Sequence, residues 1–183
     1  YTNYRRHGQM NVSRIGKKKS IDSEKDPYLL KARPGDSTAC AGCGAVYKSK
    51  RWSLPAKATK PVGVKSKILC PACQKIKEGF AGGYVTISGD FAKSHKDEIL
   101  NLIRNKETLS MGNNPLGRVM GIKDKKDSIE LTTTTDKLAQ RIGRILKKTF
   151  CGELVYKWSD DTKLARVFWK RDDPGPLNKA KKK

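Results

Sequence analysis

The hydrophobic pattern is clearest in the second half of the chain, where strand and helix periods follow one another. Residues 84–88 alternate apolar and polar side chains, with Val85 and Ile87 on one face, which is typical of a half-buried strand. Four further strand candidates are residues 118–122, 128–133, 153–158 and 164–170. Charged turns at 123–127 and 159–161 join them in pairs, so the pattern predicts five strands.

A helix is predicted between the first two of these strands. Ser94 begins it in a capping-box pattern with Asp97, and the Gly-Asn-Asn-Pro sequence at 112–115 ends it. Its buried stripe consists of Ile99, Leu100 and Ile103. The segment therefore separates two strands by one amphipathic helix.

A second helix follows the third strand, begins at Thr135 or Asp136 and ends near Gly152. Its apolar stripe is Leu138, Ile142, Ile145, Leu146 and Phe150. Spacings of four, three and four residues place four basic side chains together on the opposite face, and these are Lys137, Arg141, Arg144 and Lys148. This face is either simply solvated or a contact surface for RNA.

The resulting order, β-α-β-β-α-β-β, predicts an α+β domain with a ferredoxin-like layout and one extra strand. We assign the domain to residues 80–173 and a four-cysteine zinc ribbon to residues 27–79. Hydrophobic residues are only 36% of the chain and charged residues 32%, so part of it lies outside a core. The basic tails at 1–26 and 174–183 are expected to be disordered in isolation.

Four cysteines form two pairs with metal-ligand spacing. Cys40 and Cys43 lie in C-A-G-C-G, and Cys70 and Cys73 lie in C-P-A-C, with 26 residues between the pairs. Glycine and proline suit the tight turns that point two sulfurs at one ion. Two such turns predict one tetrahedral, structural Zn²⁺. Two disulfides in a secreted protein are the alternative, disfavoured because we expect no export signal. A redox dithiol would need only one pair.

Little in the sequence indicates catalysis. The two histidines are His7, in the tail, and His95, at a helix start, where capping and solvent explain it. Cys151 follows an apolar helix end, so we expect a small buried hydrophobic residue there. With four cysteines on the metal, zinc has no open position for water. We therefore expect a protein that is not an enzyme.

The formal net charge of +22 is unevenly distributed. Residues 1–34 carry +6, residues 35–79 carry +7, residues 80–173 carry only +5, and residues 174–183 carry +4. Strongly basic tails and a basic zinc region point to a polyanion, with nucleic acid as the default. Solvated lysines for solubility are one alternative and a membrane surface is another. Because no apolar run approaches about 18 residues, we expect a soluble protein. Five cysteines without an expected export signal predict a location in the reducing cytoplasm.

Candidate RNA contacts lie in the first tail, in the basic segment between the cysteine pairs and on the second helix. The tail and helix candidates are Arg5, Arg6, Arg14, Lys17, Lys18, Lys19, Lys137, Arg141, Arg144 and Lys148. The candidates between the cysteine pairs are Lys48, Lys50, Arg51, Trp52, Lys57 and Lys60. A basic loop held at both ends by a metal can grip phosphates. Trp52 either stacks on a base or packs over the small zinc core.

Several stretches together resemble a known family. They are C-A-G-C-G-A-V-Y, L-C-P-A-C-Q-K-I, G-Y-V-T-I-S-G-D-F, H-K-D-E-I-L-N-L-I-R-N and the segment from T-T-T-T-D-K-L to F-C-G-E-L. Over residues 38–171 the chain resembles the zinc-ribbon family of the eukaryotic large-ribosomal-subunit export adaptor, nonsense-mediated decay protein three, and especially its shorter prokaryotic relatives. The resemblance implies one zinc site at the four cysteines and binding to the large subunit near its tRNA sites. The adaptor has more cysteine pairs, further domains and export signals, so nuclear export is not implied.

The leading hypothesis is a non-enzymatic zinc protein that binds large-subunit rRNA, and ribosomal proteins, as a monomeric hibernation or assembly factor. It would act sterically, excluding tRNA or other factors, without a small-molecule substrate or a membrane. The first alternative is a DNA-binding zinc-ribbon transcription accessory, although no helix-turn-helix is visible. The second is an RNA-modifying enzyme.

Overall fold

The computed structural model describes residues 28, 37–55, 63–159 and 164–172. It confirms a mixed α+β protein, with two sheets and four helices in the described ranges. Both predicted basic tails lie outside these ranges. None of the described helices combines the length and the apolar character needed to cross a bilayer.

The first sheet and the helix after it form what we call the metal module. Its elements are β1 (Thr38–Cys40), β2 (Val46–Lys48), β3 (Arg51–Ser53), β4 (Ser66–Ile68) and α1 (Pro71–Glu78). The strand order is β3-β2-β1-β4, with β4 parallel to β1 and the other pairs antiparallel. The short apolar runs at 45–47 and 67–69 predict two strands, which lie one residue from β2 and β4. Helix α1 was not predicted, and neither were β1 and β3.

The second sheet and its helices form the α+β unit. Its elements are β5 (Gly83–Ser88), α2 (Asp90–Ser94), α3 (Lys96–Asn113), β6 (Val119–Lys125), β7 (Ser128–Thr133), α4 (Asp136–Phe150), β8 (Glu153–Trp158) and β9 (Ala165–Lys170). All five predicted strands and both long helices are present in the predicted order. The short helix α2 is an addition.

The order of strands in this sheet is β6-β7-β5-β9-β8. In a ferredoxin-like sheet the strand after the second helix pairs with the first strand. Here β8 lies at the edge instead, and β9 occupies the place beside β5, where it runs parallel to β5 and pairs Val167 with Val85. The extra strand therefore changes the sheet from antiparallel to mixed.

The helices cover one face of this sheet, and alternating strand residues supply the core beneath them. Val85 and Ile87 of β5 are fully buried, as the alternation predicted. Helix α4 contributes its predicted stripe, with Leu138, Ile142 and Leu146 buried and Ile145 and Phe150 half-buried. On the opposite face, the described side chains are exposed or half-buried, so that face has no helical cover in the described ranges.

The two predicted helix starts have different outcomes. Thr135 caps α4 as expected, since its side-chain oxygen accepts a hydrogen bond from the backbone N–H of Leu138 at 3.3 Å. The capping box at Ser94 is wrong, because the chain is already helical from Asp90 and the Ser94 hydroxyl donates to the Asp90 carbonyl at 3.1 Å. Helix α3 begins after His95, which stacks on Phe91 with ring centroids 4.0 Å apart.

Two further predictions are corrected. The charged turn expected at 123–127 contains only Lys126 and Asp127, because β6 continues to Lys125 as a charged edge strand paired with β7. Cys151, expected to be buried, is exposed. Helix α4 ends at Phe150, one residue before Cys151. Cys151 and Gly152 then turn the chain toward β8 with φ values of 59° and 82°.

Candidate metal centre

Two different local structures bring the four cysteines together. Cys40 ends β1 and Cys43 lies in the turn that follows, as expected for a metal-binding turn. Cys70 instead precedes α1 as its N-cap, and Cys73 lies in the first turn of that helix. Pro71 suits the first helical position, where its missing N–H has no intrahelical partner. The second pair is therefore presented by a helix and not by a second turn between strands, which corrects the zinc-ribbon prediction.

The sulfur positions fit a single metal ion. All four Sγ atoms lie within 4.8 Å of one another, and those of Cys43 and Cys70 are 3.7 Å apart. A tetrahedral zinc site with Zn–S bonds of about 2.3 Å has sulfur–sulfur edges of about 3.8 Å. Cys40 and Cys70 are buried, whereas Cys43 and Cys73 are half-buried. In the described ranges this is the one cluster of three or more potential metal ligands.

Two glycines make the first turn possible. A Cβ atom on Gly42 would lie 3.0 Å from the Sγ atom of Cys73, which is closer than side chains normally approach. Gly44 has a φ angle of 72°, in the left-handed region that glycine adopts without steric cost. The sequence C-A-G-C-G therefore meets both the spatial and the backbone requirements of the site.

The thiols differ in how readily they lose their protons. Burial raises the pKa of Cys40, but hydrogen bonds from backbone N–H groups, chiefly that of Cys70 at 3.2 Å, outweigh burial and lower it to about 6. Burial raises the pKa of Cys73 to about 11 and that of Cys70 further. A metal ion must therefore displace protons from Cys70 and Cys73 when it binds.

Arg118 reaches the cysteine cluster from the α+β unit. Its Nη1 atom lies 3.7 Å from the Sγ atom of Cys73, and its Nε atom donates to the Pro115 carbonyl at 2.8 Å. Burial lowers the pKa of the guanidinium, but the nearby thiols, Cys43 first, raise it above its ordinary value. Four thiolates around a divalent ion carry a net charge of −2, so a guanidinium beside them reduces that charge.

The same loop joins the two parts of the molecule. The backbone N–H of Arg118 donates to the Thr134 hydroxyl at 2.8 Å, just before α4. Leu116 packs against the apolar cluster around the cysteines. Sequence reasoning missed Arg118, since it lies 45 positions from Cys73 and no local pattern marks it. The contact fixes the metal module against the start of α4.

Trp52 lies inside the metal module. Its exposed fraction is 8%, and its ring lies 5.4 Å from that of Tyr47, its cross-strand neighbour. Both rings pack on the cluster that contains Cys40 and Cys70. Of the two interpretations of Trp52, packing is the one that this burial fits, since the ring is not presented to a base.

Three of the predicted RNA contacts lie together at the tip of the β2–β3 hairpin. Lys48 and Arg51 face each other across the hairpin, with Ser49 and Lys50 as its two-residue turn. Both turn residues have positive φ angles, 49° and 65°, as a type I′ turn requires. All three cations are exposed. Lys57, Lys60 and the six tail candidates lie outside the described residues.

The four cations of α4 share one exposed face. Lys137, Arg141, Arg144 and Lys148 are all exposed, on the side of the helix away from the buried stripe. Arg141 also donates to the Ser110 hydroxyl of α3 at 2.7 Å. We call these four residues the α4 basic face. The structure brings them together as the spacing predicted, and their role in RNA binding stays a prediction.

Comparison with protein-family models, with curated proteins and with solved structures found no match for this chain. The family resemblance therefore stays a prediction. The geometry itself supports a buried four-cysteine site for one metal ion, held between a hairpin and a helix.

Proposed function

We propose that this chain is a non-enzymatic RNA-binding protein with one structural zinc ion, and that its target is the rRNA of the large ribosomal subunit. The observation that carries the proposal is the α4 basic face. Its four exposed cations extend over about 16 Å of helix, which is long enough to contact several phosphates. The net charge of +22 adds attraction to any polyanion.

Zinc in this proposal stabilises a recognition surface and performs no chemistry. All four ligand positions would be filled by cysteine sulfur, which leaves no position for a reactive water. The ion would hold the hairpin tip with Lys48, Lys50 and Arg51 in a fixed position. A tethered cation loses less conformational entropy on binding a phosphate than one on a free tail.

The ribosome is proposed as the target from the family resemblance. By that resemblance, the zinc module and the α+β unit dock on the large subunit near the tRNA sites and exclude tRNA or other factors. The protein would be a cytoplasmic hibernation or assembly factor, and its basic tails would follow rRNA. A DNA-binding transcription accessory with the same zinc site is the competing proposal.

Sedimentation of a lysate that contains the tagged full-length chain tests the proposal. We expect co-migration with large subunits, lost when the salt concentration is raised. Recovery in the DNA fraction would instead favour the transcription accessory. Recovery in neither fraction would contradict both.

A matched pair of double variants then tests the α4 basic face on purified large subunits. Arg144→Gln with Lys148→Gln removes two charges from the face, whereas Arg104→Gln with Lys126→Gln removes the same two charges elsewhere on the surface. We expect the first variant to lower the log-log salt slope by roughly 1.4 to 1.8, because each released phosphate contact accounts for about 0.7 to 0.9. Equal effects of both variants would show that the α4 basic face contributes only through the net charge of the protein.

A further inference from the structure

The side of the α+β sheet that faces away from the helices carries aromatic and basic side chains on adjacent strands. Six of them define what we call the open sheet face, and they are Tyr84, Thr86, Val155, Lys157, Arg166 and Phe168. They alternate along their strands with side chains that pack toward the core. The strand pairing places them in two rows across β5, β9 and β8.

Each ring has a cation nearby, although both cations belong to the first row, where Arg166 pairs with Tyr84 on one side and with Lys157 on the other. In the first row Tyr84 pairs with Arg166, whose guanidinium lies 5.9 Å from the tyrosine ring. In the second row Phe168 pairs with Val155, and the Nζ atom of Lys157 lies 5.4 Å from the phenylalanine ring. Tyr84 and Val155 are each 40% exposed, although both are large and apolar enough to be buried.

The spacing of the rings suits two neighbouring bases. Tyr84 and Phe168 lie on adjacent strands and are offset by two residues. Strands are about 4.8 Å apart and rise about 3.3 Å per residue, so the two Cα atoms are about 8 Å apart. Unstacked bases of a single strand stack on aromatic side chains of this kind, and a duplex does not present them.

The charge of the face argues for a polyanion as its occupant. Lys157 and Arg166 lie beside the rings, and Lys170 and Lys123 occupy further outward-facing positions of the same sheet. Two acidic side chains, Glu130 and Glu153, share this face, so these four cations outnumber them. Residues 1–34 and 174–183, which include the chain's own tails, carry net charges of +6 and +4, so electrostatics disfavours the tails as a cover. An acidic ligand with flat, apolar rings fits both the charges and the aromatic side chains.

We propose that the open sheet face binds single-stranded RNA, with Tyr84 and Phe168 each stacking on one base and with Arg166 and Lys157 contacting phosphates. This proposal rests on the proposed function, RNA binding, and assigns part of it to a second surface. The α4 basic face lies on the helical side of the sheet and the open sheet face on the other. A bound chain would therefore contact RNA on both sides, with phosphate contacts on one and base contacts on the other.

Fluorescence anisotropy with the zinc-loaded, full-length chain tests this assignment. The probes are a 12-nucleotide oligouridine and a 12-base-pair RNA duplex. The variants are Tyr84→Ala, Phe168→Ala and the conservative Tyr84→Phe. Leu109→Ala is the matched control, because Leu109 is 67% exposed on α3, on the helical side of the molecule. Zinc stoichiometry and circular dichroism verify that each variant is folded.

We expect each alanine variant to bind oligouridine about 5- to 150-fold more weakly, the range that one lost base–aromatic stack produces. The salt slope and the affinity for the duplex should not change, because stacking neutralises no phosphate. Tyr84→Phe and Leu109→Ala should bind like the wild type. Equal weakening for both probes, or an effect no larger than that of Leu109→Ala, would overturn the proposal.

Hydroxyl-radical footprinting of the same full-length chain separates RNA from a cover supplied by the chain itself. Oxidation of Tyr84 and Phe168 should be rapid in the free protein and should slow when oligouridine is added. If both rings are already protected in the free protein and RNA changes nothing, the chain covers this face and the proposal is wrong.

The two proposals fail in different ways. A wild-type chain that binds neither probe and no ribosomal subunit contradicts the proposed function itself. If the wild type binds, the α4 double variant weakens binding and the ring variants do not, only the assignment of the open sheet face is wrong.

Discussion

The metal module and the α+β unit are stabilised by different means. Among the described residues, the cluster of the metal module contains six buried side chains, which are Cys40, Ala45, Tyr47, Trp52, Cys70 and Ala72. Two of these, Cys40 and Cys70, are candidate metal ligands. The cluster of the α+β unit contains fifteen, dominated by branched aliphatic side chains and Trp169. A core of six small or aromatic side chains is too small to fold a domain alone, so we expect the module to need a metal ion.

This difference has a consequence for the basic surface that each part carries. In our proposal, the order of the hairpin tip of the metal module depends on a metal ion at the four cysteines. The α4 basic face instead rests on a stripe of buried side chains that no ligand is needed to hold. Metal removal should therefore abolish one candidate RNA contact and leave the other, and Arg118 is the connection between them.

Loss of a ligand should have the largest effect. Cys40→Ser or Cys73→Ser removes a sulfur from the site, and structural zinc in finger peptides is worth about 10 to 16 kcal/mol near neutral pH. We expect the module to unfold and the α+β unit to stay folded. Native mass spectrometry should show one zinc ion per wild-type chain and none in either variant. Hydrogen exchange should become fast at Tyr47 and Trp52 and stay slow at Ile142.

The control for this experiment is Cys151→Ser, which alters an exposed thiol outside the site. It should retain the metal and the exchange pattern of the wild type. A metal-free wild type whose module exchanges slowly would contradict the dependence on zinc.

A cavity in the α+β unit should destabilise that unit and leave the metal module unchanged. Ile142 is fully buried on α4, and Ile142→Ala should lower the free energy of unfolding of this unit by about 2 to 5 kcal/mol. Chemical denaturation monitored by α-helical circular dichroism measures the loss. Leu109→Ala, at a 67% exposed position, should change it by about 0.5 kcal/mol or less. Zinc stoichiometry should be unchanged in both variants, and a coupled loss of zinc would show that the two parts fold as one.

Arg118→Met should have an intermediate effect on the metal site alone. The variant keeps the aliphatic part of the side chain but removes the charged group beside Cys73, together with its hydrogen bond to the Pro115 carbonyl. Loss of a partner that contacts a metal ligand typically weakens metal affinity 10- to 100-fold. Competition with a zinc chelator measures this affinity, and Arg104→Met on the exposed surface of α3 is the control. Unchanged affinity would mean that Arg118 serves packing only.

The smallest effects are expected at the helix starts. Thr135 and Ser94 are the two side chains that the sequence predicts as helix caps. Thr135→Ala should destabilise the α+β unit by about 1 kcal/mol, because the N–H of Leu138 loses its acceptor. Ser94→Ala should cost much less, since the Ser94 hydroxyl donates within a helix and caps none. The denaturation midpoints of the two variants show which substitution costs more stability. Equal losses would indicate that Ser94 contributes through another contact.

The parts of the fold that were predictable have a strong periodic pattern. The stripe of α4 repeats over fifteen residues and strand β5 alternates cleanly, so the buried faces of these two elements were correctly assigned. The four cysteines were predictable as one cluster because their spacing restricts them to a shared ion.

The parts that were missed depend on distant contacts. Strands of three residues such as β1 have too few positions to show a period. Helix α1 starts inside the metal site, where Pro71 resembles a turn residue. The place of β9 beside β5 depends on pairing between strands far apart in sequence. The approach of Arg118 to Cys73 depends on how the two parts pack.

The position of β9 has a consequence for how the chain folds as it is made. Synthesis proceeds from the N-terminal end, and parts of a chain fold as they are completed. The metal module is complete once α1 has formed. Strand β5 can pair with β7 early, but the first paired residue of its second partner, Ala165, comes 82 positions after Gly83. Until then β8 has no neighbour, since it pairs with β9 alone. A chain cut short before Ala165 therefore loses two strands from the sheet, and a three-stranded remnant, β6-β7-β5, keeps an open edge at its former centre.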